Sequence, residues 1–147
     1  MEKTENSKKF DFWQNHSEHY LEMALRTDKH EIKDKPDGYG KRTGVCGDTI
    51  EFFITVREDH LESVSFHVDG CINTNACANT VAMLAEGKQI DEAWEITWEQ
   101  IRDYLETLPS EETHCAELAV GAFYLALTDF QENKKFPWKK LYRQRRA

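Results

Sequence analysis

TIEFFITVREDHLESVSFHVDGC, residues 49–71, changes its hydrophobic period at its final cysteine, and that change decides the fold. Ile50, Phe52, Ile54 and Val56 alternate with Thr49, Glu51 and Thr55, and Val64, Phe66 and Val68 repeat the pattern. A period of two places the apolar side chains on one face of a strand. The polar link Glu58-Asp59-His60 joins the two runs as an antiparallel hairpin. Beyond Asp69-Gly70-Cys71 the stretch NTNACANTVAMLAEG reads instead as a helix. Asn73 or Thr74 is its expected cap, Cys77, Val81, Leu84 and Ala85 form one face, and Gly87 is the stop.

Working outward, DKPDGYGKRTGVCGD, residues 34–48, is rich in glycine and turn formers and predicts a loop or an irregular edge leading into the sheet. Ahead of it, Asp11 and Gln14 read as a capping box, and Trp13, Tyr20, Leu21, Ala24 and Leu25 share a helical face over residues 12–29. Downstream, a short helix is expected around DEAWEI. A second, opened by Thr97 with Gln100, should end before Leu108-Pro109. A last helix starts near Thr113 and carries Cys115, Leu118, Ala119, Ala122, Leu125 and Ala126 at helical spacing. The expected fold is α+β: a small antiparallel sheet with helices packed on one face.

At 147 residues the chain is expected to be one domain, large enough to bury a core without a disulfide or structural metal. Charge is unevenly placed. Seven of the 19 basic residues lie in the acid-free tail KKFPWKKLYRQRRA, leaving 12 against 27 acidic residues in residues 1–133, a net −15. Such a body repels nucleic acid phosphates. The division is therefore a body, 1–133, and a basic aromatic tail, 134–147. Phe136, Trp138 and Tyr142 could anchor that tail on an acidic surface; a solvated end is the plainer alternative. MEKTENSKKF has no apolar signal region, and no stretch approaches the roughly 18 apolar residues of a membrane span. A cytoplasmic location without membrane or nucleic acid partners is expected. In a reducing compartment Cys46, Cys71, Cys77 and Cys115 are thiols or ligands rather than a disulfide framework.

Cys46 falls in a glycine-flanked loop before a strand, Cys71 between a strand and a helix, and Cys115 in the first turn of another helix. Three such junctions can meet at one end of a small domain. Helix N-termini stabilise thiolates, so Cys71 and Cys115 are expected to have depressed pKa values. Gly44, Gly47 and Gly70 would let a bulky cofactor approach the backbone. The plain alternatives are a buried small side chain for Cys77, a turn role for Asp48 and a backbone hydrogen bond for His114. With no CxxC pair, an ordinary zinc ribbon or thioredoxin-type site is disfavoured.

GVCGD at 44–48, DGC at 69–71 and HC at 114–115, whose cysteines are offset by 25 and 44 positions, resemble the U-type iron–sulfur scaffold family, IscU and the NifU N-terminal domain. EGKQIDEAWEI resembles the family's G-K-x-x-x-E-A segment, and LPSEETHC its L-P-P-V-K-x-H-C. The resemblance implies an IscU/NifU-like fold and a solvent-accessible site for a transient [2Fe–2S] or [4Fe–4S] cluster. Cys46, Cys71 and Cys115 would be thiolate ligands with Asp48 and His114 adjoining, and Zn²⁺ could take the same position in the apo form. Its implied partners are a cysteine desulfurase and apo-acceptor proteins. Ser110, Glu111 and Glu112 stand where the family has Pro-Val-Lys, and that reversal of charge argues against an Hsp70-type chaperone.

On this resemblance the chain is a scaffold for assembling and transferring iron–sulfur clusters, without turnover chemistry of its own. The alternative is a zinc-bound sulfurtransferase in which Cys115 relays persulfide from a desulfurase. A Cys–His hydrolase is disfavoured, because successive helical residues such as His114 and Cys115 should project about 100° apart.

Overall fold

A computed structural model of the chain describes residues 16–138. Strands β1 (Gly38–Thr43), β2 (Thr49–Arg57) and β3 (His60–Asp69) form an antiparallel sheet in the order β1-β2-β3. Around it run α1 (Glu18–Leu25), α2 (Ile72–Ala85), α3 (Ile90–Ala93), α4 (Trp98–Leu105), a 3₁₀ turn (Ser110–Glu112) and α5 (Thr113–Lys135). None of these helices is long and apolar enough to cross a membrane.

Pairing of Phe52 with Phe66 and of Ile54 with Val64 places the alternating apolar residues on one face, as the period predicts. Helix α5 covers that face over β1 and β2, and α2 covers it over β3. Phe52, Phe66 and Phe123 meet there, with Phe52 ring centroids 5.8 Å from each of the other two, and all three are fully buried. Each contributes about 1.5–3 kcal/mol of apolar burial. Glu58 and Asp59 make the hairpin turn with φ of 52° and 63°, a left-handed pair matched to the strand twist.

Several local expectations are corrected. Of the loop or irregular edge expected over residues 34–48, residues 38–43 form an edge strand with regular pairing to β2. Its glycines have a packing role: a Cβ on Gly40 would stand 2.4 Å from both Ala122 O and Ala126 N, so α5 can lie directly on the strand. The Asp11–Gln14 box lies outside the described residues. Among them, α1 begins at Glu18, with Ser17 Oγ accepting from Tyr20 N–H. The helix ends at Leu25, short of residue 29, because Asn75 and Asn79 on α2 donate to the terminal carbonyls of Ala24, Met23 and Arg26. Helix α2 is capped by Cys71 itself, neither by Asn73 nor by Thr74. Leu125 is exposed, away from the core face of α5. The Thr97–Gln100 capping box forms as expected, and its helix stops at Leu105, before Leu108-Pro109 as expected. Helix α5 continues through Lys134 and Lys135; Phe136 and Trp138 then pack edge to face.

Candidate metal centre

Three junctions do converge. The β1–β2 connection, residues 44–48, is closed by hydrogen bonds from Gly44 N–H to Asp48 O and from Gly47 N–H to Gly44 O. It carries Cys46 and Asp48. The β3–α2 junction places Cys71 at the helix N-cap, and the 3₁₀ turn before α5 delivers Glu112, His114 and Cys115. Ligand atoms of Asp48, Cys71 and Cys115 lie within 4.8 Å of one another.

Thr74, one turn into α2 and fully buried, joins these three. Its hydroxyl donates to Asp48 Oδ2 at 2.6 Å, and its Oγ1 lies 3.4 Å from Cys115 Sγ and 3.5 Å from Cys71 Sγ. A hydroxyl has one proton, so the short bond to the carboxylate competes with donation to Cys115 Sγ, and a lone pair of Oγ1 is free to accept from the Cys71 thiol. Asp48 Oδ2 also accepts the Cys71 N–H at 3.2 Å. The Thr74 hydroxyl, followed by the Cys71 N–H and the thiols of Cys71 and Cys46, holds the Asp48 carboxyl below the usual carboxylate range despite partial burial. Gly70 makes room for this side chain: a Cβ there would come within 2.6 Å of Asp48 Cγ. The close approach expected for a cofactor at Gly70 is thus taken by Asp48, while Gly47 is required by its φ of 92°.

Cys46 stands outside the trio, exposed on its loop beside Val45, which is 98% exposed. Cys71 is also exposed, whereas Cys77 is buried and its thiol is pushed well up by burial. The expected depression of the Cys115 thiol is corrected. Burial pushes it up to about 12; the Thr74 hydroxyl opposes the shift, and the Cys71 thiol and Glu112 carboxylate add to it. Removal from water here outweighs the helix N-terminus.

His114 is brought to the site in a way helical spacing did not suggest. Its Nε2 lies 3.7 Å from Cys115 Sγ and 3.6 Å from Glu112 Oε2, because a long imidazole arm can bend back across its own turn. Glu112 and Thr74 are the residues that sequence reasoning missed as members of the site. Glu112 was legible as a position two before His114, but read only as a reversed charge. Thr74 was legible only as a possible cap.

The sheet-and-helix arrangement, the converging sulfurs and the Asp48 carboxylate can be set beside known proteins. A family profile described as "NifU-like N terminal domain" matches residues 24–136. The chain belongs to that family. An iron–sulfur cluster assembly scaffold protein, IscU 1, of Archaeoglobus fulgidus is 35% identical over 92 residues, covering 62% of this chain and 60% of that protein. The Escherichia coli K12 scaffold IscU is 32% identical over 91 residues, 61% of this chain and 70% of that one. The match thus spans about 60% of the length of the Archaeoglobus relative. Among solved structures, a putative SUF-system scaffold from Fervidobacterium islandicum superposes with a TM-score of 0.65 at 17% identity, covering 78% of this chain and 97% of that one. The N-terminal NifU-like protein of Brucella abortus does so at 0.66 and 16%, covering 79% and 94%. These superpositions support an IscU/NifU-like α+β fold in this NifU-family chain.

Proposed function

We propose that this NifU-family chain is a scaffold on which an iron–sulfur cluster is assembled and from which it passes to acceptor proteins. The observation that carries the proposal is the convergence of Asp48, Cys71 and Cys115 from three separate segments. Cys46 supplies the third sulfur from its exposed loop, and His114 adjoins. Thiolates bind iron of a [2Fe–2S] or [4Fe–4S] cluster, and a fourth position filled by carboxylate oxygen or imidazole nitrogen is more exchangeable than a fourth thiolate. A scaffold must release its cargo, so one weak corner suits it. The chain's own residues hold and orient, with no turnover step. Zn²⁺ fits the same donor set in the apo form.

A cysteine desulfurase is the expected sulfur donor, and apo iron–sulfur proteins are the acceptors. Cys46 and Cys71 are the exposed entry points for persulfide. Burial of Cys115 argues against its acting as the relay of a zinc-bound sulfurtransferase. Exposed free thiols suit a reducing compartment, hence a cytoplasmic setting. Residues 134–147 are assigned as a basic aromatic tail able to dock an acidic patch on the desulfurase. Glu111 and Glu112 argue against an Hsp70-type chaperone at this segment.

Anaerobic reconstitution with iron, sulfide and reductant, followed by absorption and Mössbauer spectra, tests the proposal. Wild type acquires sulfur-to-iron charge-transfer bands, and Cys46→Ser, Cys71→Ser and Cys115→Ser each largely fail. Zinc and persulfide binding without any cluster would overturn it in favour of sulfur transfer. Failure of Cys77→Ser to an equal degree would overturn the ligand set.

A further inference from the structure

Glu112, His114 and Cys115 form a second trio of ligand atoms, adjoining the Asp48–Cys71–Cys115 trio and sharing its sulfur. Its three edges are 3.5 Å from Cys115 Sγ to Glu112 Oε2, 3.7 Å from Cys115 Sγ to His114 Nε2, and 3.6 Å from His114 Nε2 to Glu112 Oε2. A tetrahedral ion bound at about 2.3 Å to sulfur and about 2.0–2.1 Å to nitrogen and oxygen separates such ligands by roughly 3.3–3.6 Å. The trio therefore already has nearly the span that one borderline divalent ion requires.

We propose that Glu112, His114 and Cys115 constitute a second cation seat, for Fe²⁺ or Zn²⁺, next to the cysteine–aspartate position and bridged to it by the Cys115 thiolate. An imidazole nitrogen, a carboxylate oxygen and one thiolate form the mixed donor set that these ions accept. Side chains of Glu112 and His114 are each 32% exposed while Cys115 is buried, so the seat opens to solvent on its carboxylate–imidazole side. The thiol hydrogen of Cys115 points to Glu112 Oε2; an incoming ion takes the place of that proton, which leaves to solvent, and the fourth tetrahedral position remains for water or an incoming ligand. Two seats sharing one sulfur would set two ions side by side before sulfide arrives. That role rests on the scaffold proposal; the existence of the seat does not.

Anaerobic titration with Co²⁺ as the probe, read by ligand-field and thiolate charge-transfer absorption together with equilibrium dialysis, tests the seat without any cluster chemistry. Wild type should take up a second Co²⁺ per chain, and Glu112→Gln only one. The double variant Cys46→Ser/Cys71→Ser should still bind one tetrahedral Co²⁺ with charge transfer from a single thiolate. Adding Glu112→Gln to it should weaken that binding by more than roughly tenfold. Wild-type uptake of one ion only, or equal uptake by wild type and Glu112→Gln, overturns the proposal. A folded double variant that binds no Co²⁺ does so as well; should that variant lose its far-UV circular dichroism, the single Glu112→Gln stoichiometry decides. Failed cluster reconstitution beside an intact second Co²⁺ seat would remove the scaffold function and leave the seat standing.

Discussion

The Thr74 hydroxyl donates to Asp48 Oδ2 at 2.6 Å, from a fully buried threonine on α2 to a carboxylate at the start of β2. This bond ties the cysteine-bearing loop to the helix that Cys71 caps. It also makes Thr74 the residue through which the order of the site can be tested without touching a ligand.

Thr74→Val keeps the buried volume and removes the donor. Asp48 has a depressed folded pKa, so it contributes stability that is present above its unfolded value of about 3.9 and lost as pH falls through the lower folded value. The variant should lose about 1 kcal/mol at neutral pH and show a shallower decline below pH of about 4. Melting curves across the acid range check this; identical pH dependence in the two proteins would mean that the bond has no energetic weight.

Asp48→Ala retains all three proposed thiolates. If Asp48 provides the exchangeable corner, a bound cluster should persist longer and transfer more slowly to an apo-ferredoxin. The Cys71 N–H and Thr74 hydroxyl lose their acceptor at the same time, so the apo chain should melt lower, by about 1–3 kcal/mol. Cluster absorbance with and without acceptor, beside melting of each variant, separates the two effects. Faster cluster decay in a variant that remains fully folded at the assay temperature sinks the labile-corner idea.

Cys115 is a neutral thiol near pH 7, since burial raises it to about 12. An ion bound there must displace its proton, so Zn²⁺ affinity should rise with pH, by up to about tenfold per unit for each proton released. Apo stability runs the other way: the Cys115 contribution is complete below its unfolded value of about 8.5 and is lost as pH rises toward 12. Competition with a chromophoric chelator from pH of about 6 to 9 should give a steeper slope for wild type than for Cys115→Ser. Equal slopes would show that Cys115 releases no proton on binding.

Gly40→Ala should destabilise the fold by several kcal/mol, roughly 2–4, because its Cβ would meet backbone atoms of Ala122 and Ala126 that no rotamer change can move. Urea unfolding of the apo protein measures the loss. A change under about 0.5 kcal/mol would mean that β1 and α5 separate freely.

The period of two in residues 50–56 and 64–68 was enough to predict the hairpin and its buried face, and helical spacing after Cys71 and Thr113 located the two long helices. Strand β1 was hidden because Gly38 and Gly40, which face the core, have no side chains to create a pattern. The premature end of α1 was hidden because its cap comes from Asn75 and Asn79, some fifty residues away. Motif order likewise marked Cys46, Asp48, Cys71, His114 and Cys115 as site candidates.

Local hydrophobic periodicity and cysteine chemistry are written along the chain, because each depends on neighbours a few residues apart. That Thr74 would join Asp48 to two sulfurs and that burial would raise the Cys115 thiol were decided only by packing α2 and α5 against the sheet, whereas the Glu112–His114–Cys115 trio is set by side-chain orientation within a single turn. The first two outcomes are distances and desolvation between segments distant in sequence, and no spacing within one segment encodes them.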